Sequence, residues 1–567
     1  MLASLFLLHP FTMASIPCLL NNFDMTFKVA EPTLENHLYF VSATSATAVP
    51  IYRLVNKEDL RCSWQLWACD PKNPDAIDPF YIDLDCLREF ELKLGTRRKR
   101  GEKQSVHAER LAWHVHAILV NHGPACFTKY KSFLKEPDTV NQIPLHKTNQ
   151  IPCCAMNIKE STQDGNIEVM EDLLKQGGLG EKGSSSFKEG KDDGIKTTQK
   201  IECTPKRCFQ YVVFVPGLFY YLMVCADVIW HLWVLSMASC DDPNSLVNHV
   251  KVLHSGESKK FTSKPGFQMM HQVIQHDIWA SMLDCWGLVV CSENTEWAML
   301  EEFGASEPSW ECIVELSHAI VKKYVASTER ISHLHNEPKS QHDWIFENQL
   351  LRNRDELNYL ELYHAMSSGD IGRVEGTLLN WIYMFKATGK HKYVAHMLEF
   401  MYCLSDYYSP ELAHIIHVNW LCNPTGKEGG FRGVDWMVER NNLYTKVIYG
   451  GSSSNQTLDR IIEESVLIEF FCACHVSMEN RFYLKNRTIH HSRLNMTKSL
   501  KALGHEFAKT DPHVFTPGRT AKYEAPNSVA LGMDGIQNNK DVIAAKEGVD
   551  KELNHEIESG DLAVVDF

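Results

Sequence analysis

DIGRVEGTLLNWIYMFKATGKHKYVAHMLEFMYCL, Asp370 to Leu404, decides the fold class. Val374, Leu378, Leu379, Trp381, Ile382 and Phe385 recur along one helical face, with Asp370 at the N-cap position and Gly389 just past the end. The spacing therefore predicts a helix over 371–388. Lys390, His391 and Lys392 open a second helix whose Val394, Met397, Leu398, Met401 and Leu404 face a core, while Lys392, His396 and Glu399 share the other side.

Downstream lies NPTGKEGGFRGVD, Asn423 to Asp435, where one proline and four glycines forbid regular structure and Lys427 and Arg432 flank the glycines. A third helix follows, with Asp435, Glu439 and Asn442 on a polar edge, and stops at GGSSSN, Gly450 to Asn455. A fourth, long helix then carries Leu458, Ile461, Ile462, Val466, Phe470 and Phe471. Glycine loops that feed helix N-termini offer backbone N–H groups to an anion. Lys427, Arg432, Gly450 and Gly451 are accordingly candidates for phosphate contact, although neither loop has the lysine and glycine placement of a P-loop. The plain alternative is an interhelical connector.

The chain has 567 residues, 44% of them hydrophobic, and 13 tryptophans, enough for a large core and for two domains. A formal charge of −14 excludes a generally basic nucleic-acid coat, so any phosphate contact rests on local patches. The eighteen cysteines are scattered, which favours reduced thiols inside a cell. No zinc spacing is present: Cys472, Cys474 and His475 lack a second pair, and His114 and His116 point to different faces of their helix. No metal site is predicted. Residues 1–23 carry no charge and many apolar residues, from Leu2 to Leu20, without a basic leader, which reads equally as a mis-called start or as a signal segment.

Five regions result: 1–35, unstructured or mis-called; 36–176, mostly helical after a short strand region at 37–55; 177–200, a Gly/Ser/charge-rich linker; 201–526, the main domain; and 527–567, an acidic disordered tail. TRRKRGEK, 96–103, is the densest basic run and places Arg97, Arg98, Lys99 and Arg100 among the phosphate candidates. The apolar stretch 209–237 reads as a buried strand, 211–215, entering a buried helix from Leu218; Pro216-Gly217 and Asp227 argue against a membrane span. In a helix beginning at Phe267, Asp277 and Asp284 are partly buried acids, candidate bases or metal ligands. HVFTPGR, 513–519, reads as an ordered turn.

Six runs together resemble a large fungal family known only as a domain of unknown function: IPLHKTNQIPCCAMNI from Ile143, TPKRCFQYVVFVPGLFYYLM from Thr204, KPGFQMMHQVIQHDIWASMLDCW from Lys264, GDIGRVEGTLLNWIYMFKATGKHKY from Gly369, NPTGKEGGFRGVDWMVE from Asn423 and NLYTKVIYGGSSSN from Asn442. The resemblance implies descent from a mobile element and, by analogy, a ribonuclease-H-like strand-helix core in which acids would hold magnesium for phosphodiester chemistry. On that analogy Asp370 and Glu375, with Asp227 or Asp277, are the catalytic candidates. A Gly-Asp strand that family members carry before the TPKR run is missing here, which implies an inactive copy or a lost exon.

The fold expected is α+β, predominantly helical, with a small buried sheet in a large helical domain. Three functions compete. The first is a degenerate, transposase-like intracellular protein that contacts DNA or RNA through Arg97, Arg98, Lys99, Arg100, Lys390, Lys392, Lys427 and Arg432 without cutting it. The second is a helical scaffold for protein partners, and the third a magnesium-dependent phosphodiester enzyme. No other cofactor and no membrane association are expected.

Overall fold

The computed structural model describes residues 3–7, 16–27, 39–54, 56–60, 84–93, 95, 105–159, 163–177, 212–234, 242, 245–254, 265–449, 457–482 and 495–537. It is predominantly α-helical with a small five-stranded sheet, as the periodicity predicts, and a two-stranded pair, Leu421–Cys422 with Arg432–Gly433, where the glycine loop is expected to be irregular. The sheet has the order β4-β3-β2-β1-β5, formed by β1 (Ala3–Leu7), β2 (Ile16–Phe27), β3 (Tyr39–Ala48), β4 (Ile151–Pro152) and β5 (Val212–Pro216), and every pair is antiparallel. Leu5 opposes Phe214 on one neighbour and Cys18 on the other.

Two boundaries read from sequence are corrected. Residues 3–7 and 16–27 lie in strands rather than in an unstructured leader, because their alternating backbone groups find partners in β3 and β5. Residues 528–537, assigned to the tail, form a helix that packs on the Ile371–Ala387 helix. Val529 and Ile536 supply its buried face, and Gly532 permits the approach, since a Cβ there would lie 1.7 Å from the Tyr383 carbonyl oxygen. The linker assigned to 177–200 falls outside the described residues except for Gly177, which follows the Gln163–Gln176 helix. One apolar cluster, from Leu60 to Ile536, runs across that boundary.

The strand and helix read from 209–237 are present as β5 and Leu218–Trp233. No helix among the described residues is long and apolar enough to cross a membrane. The pair around Gly389 is also as expected: Ile371–Ala387, N-capped by Asp370, then His391–Tyr402. The fourth helix starts later than GGSSSN suggests, with Thr457 as its N-cap.

At the centre lies Trp344–Ser368, a 25-residue helix whose polar residues are buried on all sides. Glu347, Gln349, Arg352, Asn353, Asp355, Glu356 and Glu361 are each 2% exposed or less. Such burial is tolerable only with partners; some lie within the helix, as Arg352 with Gln349 at 2.7 Å and Arg354 with Asp355 at 2.8 Å, and others come from elsewhere in the chain. Arg373 grips Glu361 through two bonds of 3.0 and 2.6 Å, and His114 adds a third at 2.7 Å. Asp343, the N-cap, is held by Arg519 at 2.9 and 2.8 Å, which is what orders the 513–519 turn.

Candidate nucleic-acid interface

The loop 423–435 is a fixed object. The Asn423 side chain accepts from Gly426 N (2.8 Å) and Thr425 Oγ1 (3.0 Å) and donates to the Lys427 carbonyl (2.8 Å), folding NPTGK into a tight turn. Thr148 locks that turn to a second segment: its N–H donates to the Asn423 carbonyl and its hydroxyl accepts from Asn423 N, both at 2.8 Å. Gly426 has φ +68°, and a Cβ there would sit 3.1 Å from Lys147 Cβ. Lys147 and Lys427 are therefore neighbours, and both side chains are exposed.

A third segment joins them. Tyr52 is clamped by Asn419, which accepts from Tyr52 N at 2.8 Å and donates to its carbonyl at 3.2 Å. The Tyr52 ring stacks on His146 at 3.7 Å and 5°, His146 meets Phe431 edge-on at 6.2 Å, and the Arg53 guanidinium lies 5.5 Å from the Tyr52 ring centre. His146 Nδ1 is 2.8 Å from the Pro144 carbonyl, which fixes that ring nitrogen as the donor. Arg53 thus lies against the aromatic pair, Lys147 follows His146 directly in the chain, and Lys427 sits in the loop turn docked on Lys147, with Glu428 the acid next to it.

The far end of the loop is pinned through Asp435. Its carboxylate accepts from Phe219 N and Tyr220 N at 2.9 Å each, capping the Leu218–Trp233 helix, and burial pushes its pKa up to about 7. Gly433 permits this contact, because a Cβ would meet Phe219 N at 2.3 Å. The polar edge expected of Asp435 with Glu439 and Asn442 is therefore replaced by a cap on a helix more than 200 residues away.

The other predicted cations divide. Arg432 is in the same loop and donates through Nη1 to the carbonyls of Gly429 (3.1 Å) and Phe431 (2.5 Å). Lys390 forms an ion pair with Asp227 at 2.8 Å, and Lys392 is half-buried. Arg97, Arg98, Lys99, Arg100, Gly450 and Gly451 lie outside the described residues.

Each catalytic candidate has a partner. Asp370, 1% exposed, accepts from Val140, Asn141 and Arg373 backbone N–H groups at 3.0, 3.0 and 3.2 Å, joining two helices to the 140–143 segment. Glu375 meets His417 at 2.8 Å, and Asp227 meets Lys390. Asp277 is enclosed by His249, Arg352 (3.3 Å) and Glu356; the Arg352 and His249 charges outweigh burial and hold its carboxyl below the usual range, while burial and the Asp277 charge push Glu356 well above it. Among the described residues no group of three or more His, Cys, Asp or Glu is arranged to hold a metal ion.

Sequence reading missed Arg53, Tyr52, His146 and Lys147. Nothing local marks them, since the site exists only where residues 51–54, 143–148 and 423–434 meet. The sequence model of a family of unknown function, DUF6589, matches residues 91–491. None of the curated proteins and none of the solved structures matches. With more than two thirds of its residues matched, the chain belongs to the DUF6589 family of unknown function.

Proposed function

We propose that this is an intracellular protein of fungal mobile-element descent that contacts nucleic acid without cutting it. The observation that carries the reading is the rigid loop bearing Lys427, docked beside Lys147 and the stacked Tyr52–His146 pair with Arg53. Cations at the rim suit phosphates, and flat rings between them suit bases. The descent rests on the resemblance of the six long runs to a transposase-like family.

The test is binding of the full chain to labelled single-stranded DNA and RNA across a salt series, beside Lys147→Ala/Lys427→Ala. Each phosphate contact contributes roughly 0.7 to the slope of log K against log salt for single strands, so the double variant should be shallower by about 1.4. Both side chains are exposed, so thermal unfolding should be unchanged. A folded chain that fails to bind at low salt, or a variant with the parental slope, refutes the reading.

A magnesium-dependent phosphodiester reaction is the lesser reading. It needs acids that face a substrate, whereas Asp370 is consumed as a cap and Asp277 is sealed with Arg352 and His249.

A further inference from the structure

Beyond the loop site, the helices Leu458–Glu464 and Ile468–Arg481 are joined by the 3-10 turn Ser465–Leu467 into one continuous helical stretch. One side is buried by Ile461, Ser465, Ile468 and Glu479. The other is apolar and open: Leu467 is 43% exposed, Phe470 64%, Met478 60% and Phe482 70%, with exposed Cys474 between them. Residues 467, 470, 474 and 478 keep the 3–4 spacing of a seam that seats against another helix. A patch of this kind is uncommon on a surface that stays in water.

The charges on this face indicate its partner. Glu463 and Arg481 stand at its two ends, both exposed and neither with an ion-pair partner among the described residues. They are nine residues on either side of Cys472. Two copies of the helix, side by side and antiparallel about residue 472, bring Glu463 of each against Arg481 of the other, and seat Phe470 on Cys474 and Val466 on Met478. A parallel pair would set acid against acid and base against base. The face is thus self-complementary in one orientation only, as a two-fold interface requires.

We infer that the chain forms a two-fold symmetric homodimer through an antiparallel pairing of its 458–482 helical segment. The dimer would carry two copies of the cationic loop, but the inference stands without the nucleic-acid reading.

Sedimentation velocity on the full chain across a concentration series tests it, with thermal melts as folding controls. Wild type should sediment at twice the chain mass. Phe470→Asp/Met478→Asp should be monomeric and still unfold in one cooperative transition, now independent of protein concentration, because both side chains are exposed in the single chain. Glu463→Arg sets like charges together at both ends and should raise the dimer Kd about 10-fold or more, and adding Arg481→Glu should restore it. A wild-type monomer at all concentrations overturns the inference. So does a dimer indifferent to the aspartates, or a charge-swap pair that fails to rescue.

Discussion

Asp435 shows how one side chain serves two segments. It belongs to the glycine loop by sequence and to the Leu218–Trp233 helix by hydrogen bonding, and its burial holds the folded pKa at about 7 against an ordinary 3.8. An acid with a raised folded pKa takes up its proton earlier in the native state than in the unfolded chain. Its contribution to stability is therefore full below about pH 4 and is lost as pH rises through about 7. Asp435→Ala removes the cap, should cost about 1–2 kcal/mol in acid, and should flatten that part of the stability curve; urea titrations at several pH values measure both. At Gly433 the same contact forbids a side chain. Gly433→Val should leave little folded protein, read by circular dichroism, because the clash is with backbone rather than with a flexible side chain.

Among the elements, the Trp344–Ser368 helix carries the greatest energetic risk. Arg373 and Glu361 neutralise each other in a site where neither reaches water, so removing one strands the other. Arg373→Met should cost about 3–5 kcal/mol, whereas Arg373→Met/Glu361→Met should cost less than the single change; chemical denaturation distinguishes the two. Sequence periodicity does not predict this helix, because RNRDELNYLELYH has no polar face to separate from an apolar one. Its charges are legible as buried only when the opposing elements are known. By contrast the Ile371–Ala387 helix, with a one-sided apolar stripe and an aspartate at its start, is readable from its own residues.

Across the whole molecule the histidines set the acid limit. Burial holds His114 and His116 at about 4 and His271 at about 3, against 6.5 in the unfolded chain, so unfolding takes up protons as pH falls. Stability should thus be complete above about pH 6.5 and decline from there toward about pH 4. One pKa unit is worth about 1.4 kcal/mol, so these three sites together outweigh Asp435, with the depressed carboxyls of Glu361 and Asp277 adding to the acid-side loss and the raised Glu356 opposing it. His116→Gln should move the acid-unfolding midpoint to lower pH, followed by fluorescence.

The sequence by itself determined what depends on neighbours a few residues apart: the helices flanking Gly389, the strand that enters a buried helix at Pro216, the irregular backbone of 423–431, though not the short strand Arg432–Gly433 that pairs with Leu421–Cys422, and membership of a family. Those features arise from periodicity, caps and backbone restrictions, which are local. Tertiary structure alone decided which acids are structural and which cations share a surface. Asp370 faces 140–141, Asp435 faces 219–220, and Lys147 lies beside Lys427 because hydrogen bonds reach across some 200 to 280 residues of chain. A carboxylate in the sequence is equally a cap, an ion-pair partner or a base. Which of these it becomes is fixed by the donors that folding brings within about 3 Å.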